Sequence, residues 1–324
     1  MTRAQFRGYL FEVFISEMLN NNGFKQCEFN SGNYLNQSPC ELVSQDGEIQ
    51  GRGTKHQIDY VGIYERNIPF VYPIRILVEC KYYKKGVFKN TIREFIGVYK
   101  DIEENYFYHQ REERVRFLNI PIIFSATFFN DEAINLAWAH GINLVSYHKI
   151  PLLQNYLNQI DQFLERNCMG NYLDKKKAKN LKKQFKNEAK IPNFKTFLFA
   201  TTKKGLLINL ISDEKFPDDL FVNENEQECG IFLDDNEILN KRNERSQRIF
   251  HIILYNDKNR RRFYFQANTN LLRKEFPELS LNERINEKMR YFRELTIIKK
   301  IQGLDRIIKL KANFEFEKIK DITK

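Results

Sequence analysis

Asp59, Glu79 and Lys81 are the residues whose types and spacing best suit chemistry. Glu79 and Lys81 stand two apart in the apolar segment IRILVECKYY, and in an extended strand such positions point to the same side. Asp59 lies in the preceding apolar segment, HQIDYVGIY. Both segments have the length and flanking turn residues of paired strands, which would set the two carboxylates side by side with an ammonium next to them. That grouping suits a Mg²⁺ ion, with a cation placed over a nucleophilic water. Alternating charge along a strand equally describes a solvated face, and spacing alone leaves both readings open. Three features favour the site. The second segment is too apolar for an exposed edge strand, the lead-in GRGTKHQID suits a backbone turning towards a ligand, and a third carboxylate is available from an N-terminal helix.

The elements that must position these residues follow from periodicity. Residues 3–20 read as a helix with Phe6, Leu10, Val13, Phe14 and Met18 at three-to-four-residue spacing; Phe11, Ile15 and Leu19 widen the stripe until the helix must be largely buried. Glu12 sits at the edge of that stripe and Glu17 nearer its centre. A carboxylate in either place is costly unless paired or metal-bound, and spacing does not choose between them. Strands are expected near 41–44, 57–64 and 72–82. A helix follows at about 90–106, with Ile92, Phe95, Ile96, Tyr99 and Ile102 on one face and a solvated face of charges opposite. The run 109–116 is charged and reads as exposed. IPIIFSAT (120–127) reads as a strand in the middle of a sheet, Asp131 as the cap of a helix to about His140, and INLVSY (142–147) as a further strand. This alternation predicts an α/β fold with parallel central strands.

Composition bounds the rest. The chain has 324 residues, room for two domains, and is 42% hydrophobic, which supports real cores. Its net charge of +10 is weak support for a polyanionic partner. The five cysteines are scattered with no CxxC pair, which argues against zinc and against a disulfide framework and fits a reducing, cytoplasmic setting. No signal peptide or membrane span is apparent. Residues 1–150 form one domain by this reading, 151–190 a basic helical linker, and 191–324 a second, strand-rich α+β domain. Phosphate contact is the sharper use of the basic run DKKKAKNLKKQFKNEAK. Hairpins are expected at 194–212, 248–267 and 295–316, with a helix at about 281–293. Arg260, Arg261 and Arg262 fit a charged hairpin tip, and His56 and His109 fit surface or packing roles.

Taken together, RGYLFEVFISEMLNNNGF, GRGTKHQID, VECKYY and IPIIFSATFFNDEAINLAWAHGINLVSY resemble the PD-(D/E)xK nuclease superfamily, nearest its Mrr-like, restriction-endonuclease-like branch. The resemblance covers residues 1–150. It implies a mixed central sheet flanked by helices, with Asp59 and Glu79 as ligands to Mg²⁺ (Mn²⁺ substituting), Lys81 positioning water and stabilising the phosphorane-like transition state, and Glu12 rather than Glu17 as the helix-borne carboxylate. Gln57 and the Cys80 carbonyl would be further contacts, the latter to the metal. Arg52, Lys55, Lys84 and Lys85 are added as basic residues able to meet nucleic acid. Ile58 stands where the family name has proline; the ligand set is otherwise complete. The implied function is endonucleolytic hydrolysis of DNA, double-stranded for preference, in prokaryotic restriction or anti-phage defence. The C-terminal domain would give specificity, control or a protein partner, and two active sites in a homodimer would cut both strands. The alternatives are a resolvase-like repair or recombination nuclease and a non-catalytic binding module on a nuclease fold.

Overall fold

The first helix, α1 (Arg3–Asn20), forms where its apolar spacing predicts, burying Phe6, Leu10, Phe11, Val13, Phe14, Ile15, Met18 and Leu19. Thr2 and Gln5 close its start reciprocally. The Gln5 amide donates to Thr2 Oγ1 (3.1 Å) and the Thr2 amide to Gln5 Oε1 (2.7 Å), which satisfies groups the helix cannot pair itself. The computed structural model describes residues 1–28, 44, 47–64, 72–105, 117–148, 150–168, 172–188, 194–222, 225–233, 248–256, 259–267 and 292–312. The chain divides into two units, 1–148 with 156–191, and 149–155 with 192–324.

In the first unit, α1 is followed by β1 (Phe24–Gln26), a short hairpin of β2 (Glu48–Gln50) and β3 (Lys55–Gln57), then β4 (Tyr60–Tyr64) and β5 (Ile74–Lys81). Helix α2 (Lys89–Glu103), β6 (Leu118–Ser125), α3 (Asp131–Ala139) and β7 (Asn143–Ser146) complete the alternation. Five strands make a mixed sheet ordered β1-β4-β5-β6-β7. β4 runs antiparallel to β1 and β5, whereas β5, β6 and β7 run parallel. The strands at its centre are apolar without alternation because helices cover the sheet. Leu77 and Val78 of β5, and Ile123 and Phe124 of β6, are fully enclosed. Asn130, not Asp131, caps α3, accepting from the Ala133 amide at 3.0 Å. The expected strand at 41–44 lies almost wholly outside the described residues, as does the run 109–116.

Residues 151–190 are not a linker throughout. Helix α4 (Pro151–Asn167) is followed by α5 (Lys175–Glu188), and the chain from Tyr156 to Ile191 belongs to the first unit. Ala178, Leu181 and Phe185 recur at helical spacing on α5 and are buried. Phe185 stacks edge-on to Tyr156 and Phe163 of α4, and Tyr156 packs on Phe14 of α1 at 4.6 Å between ring centroids. The lysines between these residues hide the apolar stripe from a reading by charge.

In the second unit β8 (Thr196–Thr202), β9 (Leu207–Ser212), β10 (Glu226–Leu233), β11 (Arg248–Asn256), β12 (Asn259–Ala267), β13 (Glu294–Ile301) and β14 (Leu304–Ala312) form a sheet closed on itself, ordered β10-β11-β12-β9-β8-β13-β14. Every pair is antiparallel except β10 with β14. Closure leaves no unpaired edge. The three expected hairpins are β8–β9, β11–β12 and β13–β14. The last turns on Gln302 and Gly303, both at positive φ, as the twist of a two-residue hairpin requires. Ile208, Leu210, Phe221, Ile252, Leu295, Ile297 and Ile308 fill the interior. The helix expected at 281–293 falls almost entirely outside the described residues, as do the side chains of Arg260, Arg261 and Arg262.

Among the described residues no helix is long and apolar enough to cross a membrane. Cys27 is in a disulfide, although the scattered spacing argues against a disulfide framework, while Cys80, Cys168 and Cys229 are buried.

Candidate active site

Asp59 occupies the bend between β3 and β4, with Ile58 and Tyr60 buried on either side of it. The Tyr60 hydroxyl donates to Asn20 Oδ1 at the end of α1 (2.8 Å). Its ring lies over Gly62, where a Cβ would come within 2.5 Å of it. This anchoring fixes the register of β4, in which Tyr60 faces Val78 on β5. Asp59, one residue earlier, therefore comes level with Glu79. The Cys80 amide donates to Asp59 Oδ2 at 2.7 Å and ties the two segments together.

Glu79 and Lys81 share one face of β5, and Lys81 Nζ donates to Glu79 Oε1. Both side chains are only 20% exposed. Glu12, on α1, is close enough to feel the charges of Glu79 and Lys81. Glu17, the other acid of that helix, pairs instead with Lys186 of α5 at 3.3 Å. The fold thus brings Glu12, Asp59, Glu79 and Lys81 together and sends Glu17 elsewhere.

Their electrostatics are those of a crowded anionic pocket. Burial pushes the Asp59 carboxyl up to about 8, with the neighbouring charges of Glu79 and Glu12 adding to it. Glu12 is pushed up to about 7, again chiefly by burial, opposed by the charge of Lys182 on α5. Burial works against the Lys81 ammonium, but the Glu79 carboxylate beside it more than offsets this and raises its pKa. Burial also raises the Cys80 thiol well above its usual value, so it stays neutral.

The donor set fits a hard divalent cation by its chemistry. Three carboxylates and a backbone carbonyl would be all-oxygen ligands, and the ionised forms of Glu12 and Asp59, which burial and mutual repulsion disfavour, are those a cation would stabilise. Among the described residues, however, no three acidic, histidine or cysteine side chains converge closely enough to hold a metal as they stand. Glu79 gives an oxygen to Lys81 and Asp59 gives one to the Cys80 amide.

Among the described residues, the structure shows no hydrogen bond or ion pair between the other expected residues and Glu12, Asp59, Glu79 or Lys81. Gln57 is exposed at the end of β3, and Lys84 and Lys85 are exposed just after β5. Lys55 is exposed on β3. Arg52 is turned to Glu104 after α2 (3.4 Å), and its amide donates to the Asp101 carbonyl at 2.8 Å. His56 is bonded to Asp101 at 2.7 Å, a packing role as expected; His109 lies outside the described residues. Charge patterning alone concealed two residues. Asp101 reads from sequence as part of a solvated helix face, yet it accepts from the Gly53 and Thr54 amides (2.9 and 3.3 Å) and grips the tip of the β2–β3 hairpin. Lys182 reads as one lysine in a run, yet its ammonium lies 3.4 Å from the centroid of Tyr9 on α1. The three-to-four-residue spacing of Ala178, Leu181 and Phe185 was the available signal that α5 packs there.

No family model matches this chain, and no curated protein matches it. Among solved structures, a crystal structure of a protein of unknown function, AF1548, aligns over 55% of this chain and 96% of its own, at 18% identity and a TM-score of 0.30. A likeness at that level carries no argument about fold or activity.

Proposed function

We propose that the first unit is a divalent-metal-dependent nuclease that hydrolyses DNA phosphodiester bonds on a restriction-endonuclease-like core, with the second unit selecting substrate or partner, as in prokaryotic restriction or anti-phage defence. The observation that supports it is the alignment of Asp59 with Glu79 across β4 and β5, with Lys81 beside them and Glu12 arriving from α1.

Asp59, Glu79, Glu12 and the Cys80 carbonyl would hold the ion. When bound, a divalent cation supplies charge neutralisation at a non-bridging phosphate oxygen and lowers the pKa of water. The remaining work falls to Lys81. Its raised pKa keeps it protonated at neutral pH, so it acts as a fixed positive charge for the developing anionic phosphate rather than as a general base. Glu79, paired with Lys81 through Oε1, would share its carboxylate between that ammonium and the ion.

The test is a Mg²⁺-dependent cleavage assay on plasmid, linear, methylated and single-stranded DNA, with Asp59→Ala as the control. Cleavage by the wild type that Asp59→Ala abolishes is the expected result. Absence of nicking or cutting on every substrate, or equal cutting by Asp59→Ala, sinks the assignment. The homodimer expected for double-strand cutting is tested by sedimentation.

A further inference from the structure

Helix α5 carries seven lysines and a single acid, Glu188, between Lys175 and Glu188. Glu188 accepts from Gln184 at 2.6 Å. Like charges three and four residues apart repel on a helix surface, and Lys176, Lys179, Lys182, Lys183 and Lys186 are spaced that way. Successive residues turn by about 100°, so Lys176, Lys179, Lys182 and Lys183 fall within one arc on one side of the stripe formed by Ala178, Leu181 and Phe185. Lys176, Lys179 and Lys183 are exposed, while Lys182 is partly buried on Tyr9. A helix that served only as a packed cover would mix acids with its lysines; this one keeps a one-signed surface at a cost in self-repulsion.

The neighbouring helix α1 has open space at Gly8. Gly8 is four residues before Glu12 and so shares its face. A Cβ placed on Gly8 would meet nothing within 4 Å. Packing therefore gives no reason for glycine in a helix interior, where it costs stability. The open space at Gly8 lies one turn before Glu12, and the Lys182 ammonium sits over Tyr9, the residue after Gly8.

We propose that α5 and the Gly8–Glu12 face of α1 form a contact surface for a DNA backbone, in which Lys182 binds the phosphate next to the carboxylate cluster and Lys176, Lys179 and Lys183 bind phosphates farther along. From residue 176 to 183 the helix rises about 10 Å, the axial rise of about three nucleotides of one strand. Ammonium contacts to phosphates carry no sequence information, so the surface positions DNA and leaves sequence choice to other parts of the chain. This inference rests on the nuclease assignment for the meaning of the site, but not for the binding itself.

The experiment measures binding of the full chain to a short fluorescent DNA duplex, and to the matching single strand, in EDTA across a salt titration. Lys182→Ala is expected to lower the slope of log K against log salt by about 1, and the triple Lys176→Ala, Lys179→Ala, Lys183→Ala variant by about 2 to 3. Gly8→Gln is expected to keep or raise the thermal midpoint while weakening binding, because it fills the open space at that position with a better helix former. Wild-type slopes and affinities in these variants overturn the proposal, and so does a wild type that binds neither DNA. If the wild type cleaves DNA and the α5 variants cleave and bind as it does, the surface is refuted and the nuclease stands. If binding depends on α5 but Mg²⁺ elicits no cleavage, the surface stands and the nuclease falls.

Discussion

Asp101→Ala should loosen the turn that leads into Asp59. The Asp101 carboxylate bonds His56 at 2.7 Å and accepts from the Gly53 and Thr54 amides, and β3 runs from this turn directly to Ile58 and Asp59. The His56 side chain is only 15% exposed, so its lost partner is poorly replaced by water. A hydrogen bond to a charged group is worth about 1.5–3 kcal/mol net. The two amides belong to exposed residues and add little, because water can satisfy them. A cost of about 2 kcal/mol is expected, and for a unit of this size that lowers the melting temperature by about 4–8 °C. Calorimetry on the full chain should show the shift in one transition, that of the first unit. Asp101→Asn keeps an acceptor for the Gly53 amide but loses the charge, and should fall between.

The pH dependence has a definite sign. The Asp101 carboxyl is held below its ordinary value, first by the hydrogen bond from His56, against burial, which opposes it, and with the Gly53 and Thr54 amides adding to the lowering. An acid whose folded pKa is depressed contributes stability that is complete above its unfolded value, about 4, and is lost as pH falls through the folded value. The gap between wild type and Asp101→Ala should therefore be full near pH 6 and close on acidification. Gly51→Ala tests the same contact from the other side, since its Cβ would lie 2.1 Å from Asp101 Oδ2 and 2.9 Å from His56 Cδ2. It should cost about as much, and the double variant little more than either single one. A shift under about 1 °C for Asp101→Ala, or a gap that widens in acid, would refute the clamp.

Three further outcomes follow from the same geometry. Lys81→Ala should keep the fold and DNA binding but lose at least about 10² in cleavage rate, the effect typical of one electrostatic stabiliser; a near wild-type rate ends its assignment. Asp59→Asn should raise the melting temperature at pH 8.5 in EDTA by about 3 °C or more. The Asp59 carboxyl is pushed up to about 8, so ionising it opposes folding as pH rises from its unfolded value through about 8, while Asn can still accept from the Cys80 amide. The gain should vanish near pH 4 and shrink when Mg²⁺ stabilises the wild type; a gain that is equal at both pH values contradicts a buried charge. Phe185→Ala should cost about 3–5 kcal/mol of the first unit's stability, read by denaturant titration, whereas a helix that merely linked two domains would leave that transition unmoved.

Much of the first unit was legible because its segments are long and periodic. The apolar stripe of α1, the continuous run of β6 and the pairing of the Asp59 and Glu79 segments all follow from burial demanding one period over many residues. Local exchanges of partner were not legible. Asn130 and Asp131 are both good caps, and only the direction of the entering chain decides between them. Asp101 and Glu103 sit on the same charged helix, yet one anchors a hairpin 47 residues away while the other bonds Tyr99 and Lys100 on its own helix. Type and spacing are the same for a solvated acid and for a clamp; the difference lies in a turn brought from elsewhere in the chain, which no local pattern encodes.

The two acids of α1 show the same limit at the candidate site. Glu12 and Glu17 are five residues apart and therefore on different faces, and burial makes both costly, so the sequence supplies two candidates for one role. What separates them is α5. Its Lys186 reaches Glu17 and makes an ion pair that answers that charge within the fold. Lys182, one turn earlier, lies on the ring of Tyr9 and only reaches Glu12 through its field, so the Glu12 carboxyl remains raised to about 7, as the Asp59 carboxyl nearby is raised to about 8. A buried anion that the fold has neutralised is structure, and one left uncompensated beside others is a place for a cation. On that ground the helix that charge alone would assign to a linker is what distinguishes Glu12 from Glu17, and Lys182→Ala should raise the Glu12 pKa further while Lys186→Ala should chiefly cost stability.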